Sequence, residues 1–149
     1  MEKDVLIFLN SSQSGGAVED DKIEVITAGS YYFKNGKHYI VYNELADNGN
    51  WSEQNIIKIS EDSVEIIRKG EASVHMVFNE NKKTFSYYDV PYGKLFVELK
   101  TRRIQVEEEA DRLTLLLEYR LEVENQHVAD CLVEIRVESK STCRIDLAG

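Results

Sequence analysis

Proline is nearly missing from this chain of 149 residues, with Pro91 the only one. Cysteine is almost as scarce. Cys131 and Cys143 are the only two, too few for the disulfide framework of a small secreted domain. His38, His75 and His127 are scattered and lack the close Cys/His pairing of a zinc site, so no metal is expected. A lone histidine can ligate haem, but nothing else in the sequence calls for one, and no cofactor is expected. Long apolar runs are absent. None approaches the ~20 residues of a membrane-crossing helix. The start, Met1-Glu2-Lys3-Asp4, leads into too short an apolar stretch for a secretory signal. Reduced thiols in a cytoplasmic setting are the simplest expectation. Positive charge is in short supply too. Eighteen basic against 27 acidic residues leave a net charge of −9, which repels phosphate backbones and argues against nucleic acid as partner. The densest basic stretch, Lys100 with Arg102-Arg103, is followed at once by Glu107-Glu108-Glu109. There is no Gly-x-Ser-x-Gly, P-loop or dinucleotide fingerprint.

What the chain does have is alternation. From Arg112 to Glu124, Leu113, Leu115, Leu117, Tyr119, Leu121 and Val123 share one parity, and charged or polar residues take most of the other. A helix would scatter that set, whereas a strand gathers it on one side. Val128 to Glu138 repeats the pattern with Ala129, Cys131, Val133, Ile135 and Val137. The polar link Asn125-Gln126 between them predicts a long hairpin with one buried face. From Lys94 to Val106 the phase slips. Leu95, Val97 and Leu99 set one parity, Ile104 and Val106 the other, so a β-bulge is expected near Thr101-Arg102-Arg103.

Shorter runs precede these. Ile23–Lys34 and Lys37–Leu45 flank Asn35-Gly36, a hairpin signal because both residues tolerate positive φ. Ser52–Ser60, Ser63–Lys69, Ser73–Asn79 and Lys83–Val90 follow on short turns, with Ala46–Asn50 a turn and Pro91-Tyr92-Gly93 a corner. Val5–Asn10 reads as a first strand, Ser11–Val18 as a loop carrying Gly15-Gly16, and 140–149 as a tail. Eight to ten strands on short connections predict one all-β domain over 1–149, an antiparallel up-and-down barrel that hides both sheet edges. A two-sheet sandwich is the alternative.

Four stretches, "TAGSYYFKNGKHYIVYNE", "IIRKG", "VPYGKLFVELKT" and "LLLEYRLEVENQ", resemble in that order the YwiB-like family of small bacterial proteins. The resemblance runs from about Ile23 to Val137 and rests on spaced glycines and aromatics. It implies a calycin-type barrel, the architecture of lipocalins and fatty-acid-binding proteins, and carries no activity. Where the family tends to have threonine, near the start of the strand after Glu44, this chain has Asn55.

Glu44 and Arg68 are the charges that matter. Glu44 is in phase with Ile40 and Tyr42, and Arg68 with Val64 and Ile66, so both fall on otherwise apolar faces. Pointing inward they would form a buried ion pair that fixes register, or leave Arg68 to hold a ligand carboxylate or phosphate. Tyr42, Tyr32 and Tyr119 are the tyrosines expected near such a ligand. Tyr39, three positions from Tyr42, must face the other way. Val41 and Leu45 make that outer face apolar as well, which calls for cover from the first strand, the tail or a second subunit in a homodimer. The expected function is therefore a barrel binding a small, partly apolar or anionic molecule. The alternatives are an enzyme using Glu44 as base beside Arg68, and a filled, dimerising barrel. Cys131 reads as a buried small hydrophobe and Cys143 as exposed.

Overall fold

A computed structural model describes residues 1–15, 21–45, 51–70, 73–90 and 93–143. The turn expected at Ala46–Asn50, Gly16, the corner residues Pro91-Tyr92 and the tail beyond Cys143 lie outside the described residues. Ten strands run β1 (Asp4–Ser14), β2 (Asp21–Lys34), β3 (Lys37–Leu45), β4 (Trp51–Ile59), β5 (Ser63–Lys69), β6 (Ser73–Asn79), β7 (Lys83–Val90), β8 (Gly93–Glu109), β9 (Arg112–Val123) and β10 (Gln126–Ser139). Each pairs antiparallel with its sequence neighbours, and β1 pairs with β10 to close the barrel. The expected meander is what forms. Closure removes both unpaired edges, so a sandwich is not needed to hide them.

Local chemistry explains the joints. Asn35 and Gly36 take positive φ of 53° and 75°, the twist a two-residue hairpin demands. Glu124 and Asn125 do the same at 51° and 65°. That places the β9–β10 turn one residue earlier than the polar pair Asn125-Gln126 predicts, and Gln126 pairs with Val123. Between Thr101 and Arg103 the β8–β9 register shifts, leaving Arg102 as the extra residue of a bulge where the phase change predicts one.

The first strand corrects one expectation. Ser11–Ser14 is strand rather than loop, paired with β10 on one side and, as far as Gln13, with β2 on the other. Serine and glutamine offer no apolar alternation there, and the two ladders hold the backbone in its place. Gly29 shows why the β1–β2–β3 wall is tight. A Cβ there would lie 2.6 Å from Ile7 Cδ1 and 2.6 Å from the Val41 carbonyl oxygen.

The inward parity of nearly every strand feeds one core. Val5, Ile7, Ile40, Ile57, Val64, Phe78, Leu99, Leu113, Leu115, Leu117, Ile135 and Val137 are all essentially inaccessible. Burial of each large side chain contributes roughly 1.5–3 kcal/mol. Cys131 belongs to this layer, and burial pushes its thiol up. Cys143 is half-buried rather than exposed, because its Sγ lies 3.2 Å from Glu138 Oε2. Among the described residues no helix is long and apolar enough to cross a membrane.

Candidate functional site

One end of the barrel carries the connections β1–β2, β3–β4, β5–β6, β7–β8 and β9–β10, and its inward positions change character. Tyr42 on β3, Asn55 on β4 and Arg68 on β5 are successive cross-strand partners, so the register alone sets them side by side on one face. That face is the inner one, since one step further along the same strands stand Ile40, Ile57 and Ile66. Tyr42 and Asn55 form a buried floor, Asn55 only 2% exposed. Arg68 and Glu44 stand at the rim, their side chains 41% and 30% exposed.

Arg68 Nε–H donates to Asn55 Oδ1 at 3.0 Å, and Arg68 Nη2 lies 3.5 Å from Glu44 Oε2. A fully buried ion pair is therefore not what forms. The pair sits at a solvent-reachable rim, because β3 and β5 end there and leave the charged heads beyond the packed layer. Asn55 Nδ2, by contrast, is buried with no partner among the described residues. Burial, then the nearby Glu44 carboxylate, pushes the Tyr42 phenol up to about 12, with Arg68 opposing. Tyr42 thus keeps its proton and stays a donor at neutral pH. The set offers a guanidinium, a free amide NH2 and a phenol, all donors, opposed by one carboxylate. The rim around it is apolar in part, since Ile23 on β2 and Leu95 on β8 hold inward strand positions yet remain exposed.

The other tyrosines go elsewhere. Tyr32 lies on the outer wall opposite Tyr39, under Lys3 Nζ at 5.5 Å from its ring, and cannot join Arg68. Its neighbour Tyr31 takes the inward position instead, since adjacent strand residues face opposite sides. Tyr39 shares its groove, of about 460 Å3, with Val41, Ile56 and Lys58. Tyr119 on β9 faces inward but packs its ring on Phe78 of β6 at 4.7 Å, between its ladder partners Thr101 on β8 and Cys131 on β10, rather than in the Arg68 row.

Sequence reasoning missed two features. Asn55 as the link between Tyr42 and Arg68 depends on the β3–β4–β5 register, which no local pattern announces. At the opposite end, Tyr31 Oη and His38 Nδ1 share a hydrogen bond at 2.6 Å, with Glu108 Oε2 3.8 Å from His38 Nε2. Burial and the Glu108 charge push the Tyr31 phenol up. Among the described residues no cluster of three or more histidine, cysteine or acidic side chains could hold a metal.

Fold and inner face together define a closed, ten-stranded antiparallel barrel with a packed interior and a donor-rich mouth. The chain belongs to the family described as Domain of unknown function (DUF1934), whose model matches residues 7–135. It is 31% identical over 117 residues to the "Uncharacterized beta-barrel protein YwiB" of Bacillus subtilis, covering 74% of this chain and 81% of that one. The "Crystal structure of ywiB protein from Bacillus subtilis" superposes with a TM-score of 0.80 at 24% identity, over 92% of each chain. That likeness supports the closed barrel.

Proposed function

We propose that the barrel binds a small amphipathic anion at its mouth. The acidic group meets Arg68, Asn55 and Tyr42, and the apolar part lies along Ile23 and Leu95. The observation that carries this reading is Asn55 Nδ2, buried beside a guanidinium with no partner among the described residues while Oδ1 of the same side chain accepts from Arg68. A buried donor without an acceptor costs about 1–3 kcal/mol, and an incoming carboxylate or phosphate oxygen removes that cost. Arginine suits such groups because its planar fork can bind them bidentately. Glu44 is displaced from Arg68 as the anion arrives, which limits affinity and selects for ligands bringing apolar area as well. A base role for Glu44 is the weaker reading, since its carboxylate is already engaged with Arg68.

Isothermal titration calorimetry with decanoate, and with acetate as the short control, tests this. Decanoate binding that weakens at least tenfold in Arg68→Leu and stays unchanged in the outer-wall variant Tyr32→Phe supports it. Equal binding by wild type and Arg68→Leu, or no binding by wild type, overturns it.

A further inference from the structure

The outer wall is two-faced. On β9 and β10 it is charged and internally paired, as in Arg112 with Glu138 and Arg136 with Glu138. On β5 to β8 an apolar row crosses it, flanked by charges that include the pairs Glu65–His75 and Glu98–Lys83. Ile67, His75, Tyr87 and Phe96 are successive cross-strand partners, and their parity is opposite to that of Ile66, Met76 and Val97, which pack toward the core. Phe85 flanks the row. Phe85, Tyr87 and Phe96 are 53%, 54% and 44% exposed, yet they touch one another, Phe85 stacked on Phe96 at 5.5 Å and Tyr87 edge-on to it at 4.9 Å. Three contiguous exposed rings are a surface built to be covered, since aromatic side chains dominate interface cores.

Charge identifies the cover. Along β8 the outward residues read Lys94, Phe96, Glu98, and along the oppositely directed β5 they read Glu65, Ile67, Lys69. Both lysines therefore stand toward the barrel mouth and both glutamates toward the other end, with the apolar row between them. A two-fold axis along that row lays each strand antiparallel on its own copy. Lys94 then meets the second copy's Glu98, which Lys83 already holds at 3.0 Å within its own chain, and Lys69 meets its Glu65, which lies 3.2 Å from His75 Nε2, so each incoming lysine extends an existing pair. We infer that this wall is the contact surface of a homodimer of the chain, in which two mouths face opposite directions. Closure of the barrel leaves no strand edge for pairing between chains, so association is face to face. At a net charge of −9, two copies repel everywhere except where opposite charges are brought into register. Four strands at ~4.8 Å spacing, with about five residues along each at ~3.3 Å, make a patch of roughly 20 Å by 16 Å, about 300 Å2, below the ~800 Å2 per partner of a standard interface, so the dimer is weak and concentration-dependent.

Sedimentation velocity over a micromolar-to-millimolar series reads this directly, with circular dichroism melts confirming that each variant folds. Wild type shifts from monomer to dimer across the series. Phe96→Glu and Lys94→Glu each weaken the dimer at least tenfold. The swap Lys94→Glu with Glu98→Lys restores it to within about threefold of wild type. A wild type that stays monomeric throughout overturns the inference. So does a dimer indifferent to Phe96→Glu, or a swap no better than Lys94→Glu alone.

Discussion

Replacing Asn55 with leucine separates a residue kept for stability from one kept for binding. The side chains have the same branching, so the buried position stays filled. Two terms oppose. The hydrogen bond from Arg68 Nε–H, 3.0 Å long, is lost. Hydrogen bonds to charged groups are worth about 1.5–3 kcal/mol, but Arg68 is 41% exposed and can recruit water, so the loss falls toward about 1 kcal/mol. Against it, Asn55 Nδ2 no longer sits buried without a partner, a gain of about 1–3 kcal/mol. The net change lies within about 1 kcal/mol of zero, or is stabilising. Urea unfolding with an unchanged slope m measures it as a shift of midpoint. Decanoate affinity falls at least tenfold in the same variant. A destabilisation above about 2 kcal/mol would refute the reasoning, because Asn55 would then hold the wall together rather than wait for a ligand.

Other substitutions have definite signs. Gly29→Ala drives a methyl to 2.6 Å from Ile7 Cδ1 and the Val41 carbonyl oxygen, and is expected to cost about 1–3 kcal/mol in chemical denaturation. Glu124→Asn relieves a non-glycine residue at φ 51° and should raise stability by about 0.5–1 kcal/mol, seen as a higher melting temperature. Tyr42 has a folded pKa of about 12, above the unfolded value of 10.0. Its contribution is fully present below pH 10 and is lost as pH rises through about 12, by up to about 1.4 kcal/mol per unit. Urea midpoints from pH 9 to 12 should therefore fall less steeply in Tyr42→Phe than in wild type.

Strand parity is local, and that is why so much of the barrel was legible. The Asn35-Gly36 hairpin follows from two residue types, and the Arg102 bulge from a phase slip within one strand. The alternation of β9 and β10 also marks which residues enter the core. Tyr42 shares the parity of Ile40, so its inward direction was readable. What parity cannot give is which of two adjacent tyrosines wins the inside, and Tyr31 took the place expected of Tyr32. Nor can it place residues across strands. Asn55 joins Tyr42 and Arg68 through a register fixed by two turns, and Tyr119 is inward yet packs with Phe78. The polar stretch Ser11–Ser14 has no apolar alternation to betray a strand, and pairing with β10 and β2 holds it in the sheet. Exposure at the rim depends on where β3 and β5 end, a property of the assembled barrel that weakens the ion pair expected from sequence.

The seam between β1 and β10 sets the order in which such a chain can fold. Every other ladder joins sequence neighbours and can zip from a turn, but Val5 must find Ser139. Closing a loop of that length costs about 4 kcal/mol of chain entropy before any seam contact repays it. The hairpins therefore form first, and the curved, still open sheet carries two unpaired edges until its ends meet. That transient sheet, not the finished barrel, is the form exposed to strand-to-strand aggregation. Weakening the seam at Val5 or Val137 would speed opening more than it slows folding, and would lengthen the time those edges stay bare.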